Sequence, residues 1–482
     1  MSTTATLQAS ADQSWRGDDF PHWLPPMLVR ELRQGIQSGV FFWTFLILQF
    51  ALLLFALFAL LVQAGTPDLD AVRGFDGLFW GILAIGLGLV MPLRGLTAVA
   101  SERTGNNLDL VRLTKLSATR IVIGKWLALV AQVLLVASAV LPYLTVRYFF
   151  GGVNVVGDLA TLGWLLVWSA VLAAVAVYYS TRPQRERVGV LLLLGFLGLG
   201  SLGGVAAAPR GGGTASLSSG TGWLMLTIAS LYAALFLEAA AASIAPPAEN
   251  HALPKRLLGL GCAAIIAGVG LWGSAAWFWS LLGVLGLPVV FITVAALCER
   301  PVRVRRMHTP FARGGLAGRL AAAAFTPGWA TGLVFFVLAF ALVATGLLAR
   351  AAADNAMDKT LPFVSLSAAA ILLPLPLLLL VPRLNARGSL YAAVQFLCII
   401  PWGVDLAVRE LPGFRSEGLL PLVALFPLAG ILRLLQRAPD GTRQTLFYVG
   451  CGITVIVLQI VLRRWLSAMR ETQRLVGGRP PA

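Results

Sequence analysis

The sequence predicts an all-α, polytopic membrane helix bundle of about twelve crossings, counted as twelve or thirteen, with an interfacial amphipathic helix at its N-terminal end. Composition is the first reason. Across 482 residues, 58% are hydrophobic and 12% charged, with a mean hydropathy of +0.82, whereas soluble domains are about 25% charged. Periodic apolar runs are the second reason, since a bilayer core needs about 20 apolar residues per helix. The third is the placement of cations, which gather in alternate short loops as membrane orientation requires.

The elements follow in order. Residues 1–22 are polar and read as a flexible N-terminus with no cleavable signal. From Trp23 to Gly39, Leu24, Leu28, Leu32 and Ile36 recur every four residues. Arg30, Glu31, Arg33, Gln34 and Gln37 take the other side. Pro25 and Pro26 suit a helix start and Gly39 its end, which predicts an amphipathic helix lying in the interface. Candidate spans then cover 40–63, 76–98, 122–146, 159–180, 188–208, 222–244, 257–274, 277–297, 328–349, 361–381, 389–408, 418–435 and 445–462. Placing the N-terminus in the cytoplasm puts the Arg-rich and Lys-rich loops 99–121, 181–187 and 298–326 inside. Loops 64–75, 147–157 and 209–221, with one cation each, then lie outside.

The tail cations Arg463, Arg464, Arg470, Arg474 and Arg479 also call for the cytoplasm, so one run of the thirteen is not a full crossing. The suspects are 418–435, bounded by Pro421 and Pro427, and 361–381, broken by Pro374 and Pro376. Segment 209–221 is a Gly/Ser linker. Segment 245–256 is a Pro-rich connector, which divides a six-span unit (23–248) from a C-terminal transmembrane bundle (249–465) and a basic tail (466–482).

The net charge of +16 is spread over membrane-flanking loops, so no nucleic-acid partner is expected. The four cysteines lie in or beside apolar runs without CxxC spacing and read as small core residues. The three histidines are scattered in polar segments, and no metal or haem site is expected.

The polar interruption between the second and third spans carries the functional reading. Asn106 or Asn107 caps a short helix. Leu108, Val111 and Leu113 give it an apolar edge, while Asp109 and Arg112 project charge at i, i+3. Glu102, Arg103 and Lys115 flank it, and such a helix suits docking into a groove on a soluble partner. Glu102, Leu108, Asp109, Leu110, Val111, Leu116, Ser117, Gly124 and Lys125, with Arg30-Glu31-Leu32-Arg33 before the first span, resemble the ABC-2 type exporter permease family over about residues 25–245. Leu141-Pro142 and Phe150-Gly151-Gly152-Val153 extend the likeness. Asn106 and Asn107 stand where that family has Gly-Thr, and Lys115 replaces a common Pro.

The resemblance implies a coupling helix gripping a separate ABC ATPase subunit, a permease dimer (homo- or heterodimer) and a bacterial cytoplasmic membrane. No catalytic residue or cofactor is expected in the chain itself, ATP being bound by the partner. Gly124-Lys125 is followed by Trp126, and Thr119 stands where a phosphate loop needs Gly. Two other readings stay open. Asp68, Asp70 and Asp76 in the first external loop fit a polytopic glycosyltransferase, and the motif-free C-terminal half fits a non-transporting scaffold. A second docking loop at 298–326, with Arg303, Arg305 and Arg306 before Phe311, is set against a simple positive-inside stop. Ionisable groups within spans are costly. Arg94 and Glu238, placed at similar depth, are expected to pair.

Overall fold

The computed structural model describes residues 26–65, 76–98, 117–149, 155–181, 220–246, 249–302, 304–381, 387–401, 404, 425–435 and 440–476. Among these every regular element is helical. Ten of the helices are long and apolar enough to cross a membrane. The chain is a polytopic membrane protein built as an all-α bundle. It divides into two compact units at Ala245/Pro246.

The first unit begins with α1 (Pro26–Ile36) and α2 (Gly39–Gly65). Next comes α3 (Asp76–Leu83), which runs on as a π turn (Ala84–Val90), a single α turn (Met91–Leu93) and a 3₁₀ turn (Arg94–Thr97). Helices α4 (Ala118–Phe149), α5 (Val155–Ser180) and α6 (Gly220–Ile244) complete it. One face of α2 packs Phe41, Leu48, Leu52 and Phe55 against Phe79, Leu83 and Leu87 of the second span and Val136 and Val140 of α4. Its other face leaves Phe42, Trp43, Ile47, Phe50 and Leu54 exposed, as a lipid-facing surface requires. A second cluster joins α4, α5 and α6 through Val122, Ala173, Ala174, Val177, Ala240 and Ala241.

At the far end of α4, Arg147 lies 3.3 Å from Asp158 of α5 and stacks 4.4 Å from the Phe79 ring centre.

The second unit comprises α7 (Ala252–Trp272), α8 (Ala275–Cys298), the short α9 (Arg305–Ala312) and α10 (Gly315–Phe325), and α11 (Trp329–Ala353). It continues with α12 (Met357–Leu372), α13 (Leu375–Leu380), α14 (Arg387–Leu397), α15 (Pro427–Leu435) and α16 (Asp440–Val476). Helices α7 and α11 cross backbone to backbone. A Cβ on Gly270 would stand 2.4 Å from the Gly346 carbonyl oxygen, so only glycine fits.

The apolar runs at 389–408 and 418–435 contribute only the short helices α14 and α15 among the described residues, and neither is among the ten spans. Residues 188–208 lie outside the described residues. The 361–381 run, suspected for its prolines, is one span (Met357–Leu380) broken between α12 and α13. Pro374 has no N–H to give the Ala370 carbonyl four residues back. Gln395 of α14 supplies the donor instead, with its amide nitrogen 2.6 Å from the Ala370 oxygen. The Tyr391 hydroxyl donates to Ile371 O at 2.9 Å. Thus α14 repairs the break in its neighbour.

Arg256, 1% exposed, holds the α10–α11 corner together. Its Nη1 donates to Ala324 O (2.6 Å) and Thr326 O (2.9 Å), carbonyls left open where α10 ends, and to Thr331 Oγ1. Its Nη2 donates to Glu299 Oε2 at 2.7 Å, and Lys255 reaches the other carboxylate oxygen at 3.2 Å. Charge compensation and carbonyl capping coincide, which is what makes a buried guanidinium tolerable.

The 298–326 segment, read as a docking loop or a plain stop, folds as the α9 and α10 pair, turned at Gly314–Gly315 with Gly315 at φ 57°. His308 on α9 is buried at 3% exposure, with neither ring nitrogen in a hydrogen bond of good geometry. Burial lowers its pKa, an effect partly offset by the Val302 backbone.

Replacing Arg256 by Met takes a donor from the Ala324 carbonyl and leaves the Thr326 carbonyl to Thr331 Oγ1 and Glu299 to Lys255. The expected loss is about 3 kcal/mol, read as a lower unfolding midpoint of the detergent-solubilised chain. His308 favours the neutral ring when folded, so the unfolded state takes up the proton first and stability is intact above a pH of about 6.5. As pH falls below that value, the protection of α9 amides relative to intrinsic exchange at the same pH should decrease. A His308→Leu chain should lack this decrease.

Candidate functional site

The second span does not end as a regular helix. In its π turn the Met91 N–H pairs with Gly86 O, five residues back. The next bond in that series would run from residue 92 to Leu87 O, but residue 92 is proline. Ser169 of α5 fills the vacancy, its buried hydroxyl donating to Leu87 O at 2.7 Å. Gly95 lets the following turn press against α5, where a Cβ would meet Ala176 Cβ at 2.9 Å. These features bring Arg94 to the mouth of the first unit.

The α1 helix lies along α4. Leu28 of its apolar stripe is buried, and Arg30, Arg33, Gln34 and Gln37 are exposed. The approach is closest at Gly35, where a Cβ would stand 1.9 Å from Gln132 Nε2. Two polar links hold it there. Lys125 of α4, 3% exposed, donates to Glu31 Oε1 at 3.0 Å. Arg94 donates through Nη1 to Gln132 Oε1 (2.6 Å) and through Nη2 to Gly35 O (3.0 Å) and Ser38 Oγ (2.7 Å). Its guanidinium also sits 5.2 Å from the Phe41 ring centre. A cation at the C-terminal carbonyls of α1 is favourably placed against that helix's dipole.

Beneath the clasp is a cavity of about 650 Å³, lined by α1, the end of the second span and α4. Among the described residues its charged lining is Arg30, Arg94 and Lys125 against the single carboxylate of Glu31. The remaining wall includes Val40, Val90, Leu93 and Leu129.

Of the site residues read from sequence, Arg30, Glu31 and Arg94 meet at this cavity, and Arg33 lies on the outer face of the same helix. The expected pairing of Arg94 with Glu238 is not formed. Arg94 turns instead to Gln132, Ser38 and Gly35, because hydropathy fixes depth but not the side of a helix. Glu238 is half-buried on α6. The proposed coupling residues Glu102, Arg103, Asn107, Leu108, Asp109, Val111, Arg112 and Lys115 lie outside the described residues, as do Asp68 and Asp70.

Gln132 and the pairing of Lys125 were missed. Their signal was present, since two polar residues seven apart in an otherwise apolar run share one helix face. Among the described residues no three His, Cys, Asp or Glu side chains form a group able to hold a metal.

Ser169→Ala removes the Ser169 hydroxyl donor to Leu87 O, for which no other side chain among the described residues substitutes. An unpaired buried carbonyl costs about 1–3 kcal/mol, so the solubilised protein should unfold at lower temperature. Ser169→Thr, which keeps the hydroxyl, should restore part of the loss.

No family model, curated protein or solved structure matches the chain.

Proposed function

We propose that this chain is the membrane subunit of an ABC-type exporter in a bacterial cytoplasmic membrane, with its N-terminus inside and its work drawn from a separate ATPase. Ten membrane-spanning helices supply the translocating body. The observation that carries the reading is the Glu31–Lys125 ion pair. It joins two stretches on which the ABC-2 resemblance rests, Arg30-Glu31-Leu32-Arg33 and Gly124-Lys125, although they are 94 residues apart in sequence.

The consequence is mechanical. Segment 99–116 leaves the second span just after Arg94 and enters α4 just before Lys125, and both residues are bonded to α1 or its exit turn. Force delivered to that segment by a soluble motor would pass into α1 and α4 together rather than being lost in a loose tether. Asp109 and Arg112 are the charges proposed to meet the motor, with Leu108 and Val111 inserting between them. The chain's own part is to receive motion and reshape a path, and the nucleotide chemistry belongs to the partner.

Purification of the tagged full chain from its native membrane should capture an ATPase subunit, and Asp109→Arg should lower the ATP turnover of that complex at least tenfold. Recovery of a fully active chain without an ATPase would overturn the proposal. So would labelling of an Asn107→Cys chain, with its native cysteines replaced by alanine, exclusively from the outer face.

A further inference from the structure

Arg94 is a half-buried cation inside a membrane span, yet all three of its hydrogen bonds go to neutral acceptors. Among the described residues it has no carboxylate within ion-pair distance. A charge in a medium of low dielectric constant is stabilised by an opposite charge far more than by dipoles. Among the described residues the one carboxylate lining the adjoining cavity, Glu31, faces Lys125 at 3.0 Å. Arg30, on the same wall, forms no ion pair with any described residue. The cavity is therefore left with a cationic excess and room for an anion. Its volume of about 650 Å³ falls in the ~300–1,000 Å³ range of small-molecule sites.

We propose that the cavity between α1, the end of the second span and α4 binds a phosphate-bearing ligand, with Arg94 and Arg30 contacting the phosphate oxygens. A guanidinium matches phosphate by charge and by its planar fork of donors. The Gln34 side chain, also on the wall, offers amide donors of the same kind. The lining also carries the apolar side chains Val40, Val90, Leu93 and Leu129. That mixture of polar and apolar lining suits a phosphorylated amphiphile whose headgroup meets the arginines while its first carbons lie on the leucines. The amphipathic α1 is itself a helix of the headgroup zone. Free inorganic phosphate shares the recognised chemistry but would leave the apolar lining unused. The site is independent of whether an ATPase drives the chain.

The test is a binding titration of the purified full chain in a non-ionic detergent with dihexanoyl phosphatidic acid, dihexanoylglycerol and inorganic phosphate. Phosphatidic acid is expected to bind saturably, at least tenfold tighter than the phosphate-free glyceride. Arg30→Gln, which removes an exposed cation, and Gln34→Glu, which places a carboxylate in the cavity, should each weaken it at least fivefold without shifting the unfolding midpoint. Inorganic phosphate displacing the lipid at comparable concentration would identify the phosphate alone as the recognised group. Failure to displace it would identify the amphiphile. Equal binding of phosphatidic acid and the glyceride, or phosphatidic acid affinity unchanged in both variants, would overturn the proposal and leave Arg94 as a helix cap only.

Discussion

Inside an apolar medium a backbone carbonyl with no donor has no water to turn to. At three described places where a helix breaks off, a side chain from a neighbouring helix takes the missing place. Pro92 cannot serve Leu87 O, and Ser169 does. Pro374 cannot serve Ala370 O, and Gln395 does, with Tyr391 beside it on Ile371 O. The carbonyls at the end of α10 are taken by Arg256. Each unit is therefore more than a set of apolar rods, because its irregular turns make neighbouring helices obligatory partners.

The same constraint places the charges. An arginine in a span is tolerated when its donors are used, and carbonyl oxygens at helix ends are the acceptors that a helix bundle has to spare. Arg256 uses three of them, on Ala324, Thr326 and Gly328, and adds a carboxylate, which makes it a fastener. Arg94 uses a carbonyl, a hydroxyl and an amide but gains no carboxylate. That difference separates a structural cation from one still able to receive an anion. It also links the fold to function, since the Arg94 contacts bind α1 to the base of the second span while Lys125 binds it to α4.

Particular residues show where sequence reasoning reached and where it stopped. The apolar runs announced twelve or thirteen crossings, and ten helices of spanning length stand among the described residues, because hydropathy over twenty residues is a local property. The amphipathic spacing of Leu28, Leu32 and Ile36 announced α1 for the same reason. The Pro374 break was visible, but its repair by residues 391 and 395 was not, since no periodicity signals which side chain will cap which carbonyl. Pairing Arg94 with Glu238 failed because depth along a span says nothing about which way each side chain faces. Arg256 escaped notice because a cation in a Pro-rich connector reads as an interfacial anchor until the α10–α11 corner closes over it.

Composition and periodicity alone made this chain a multi-pass helical membrane protein, because apolar length and side-chain period act through each helix by itself. Tertiary structure alone decided that Gly35 and Gln132 meet, that Glu31 reaches Lys125, and that Arg94 looks into a cavity rather than toward a carboxylate. Those outcomes depend on the rotation of one helix against another. That rotation is set by the summed packing of many small contacts, which no single stretch of sequence records.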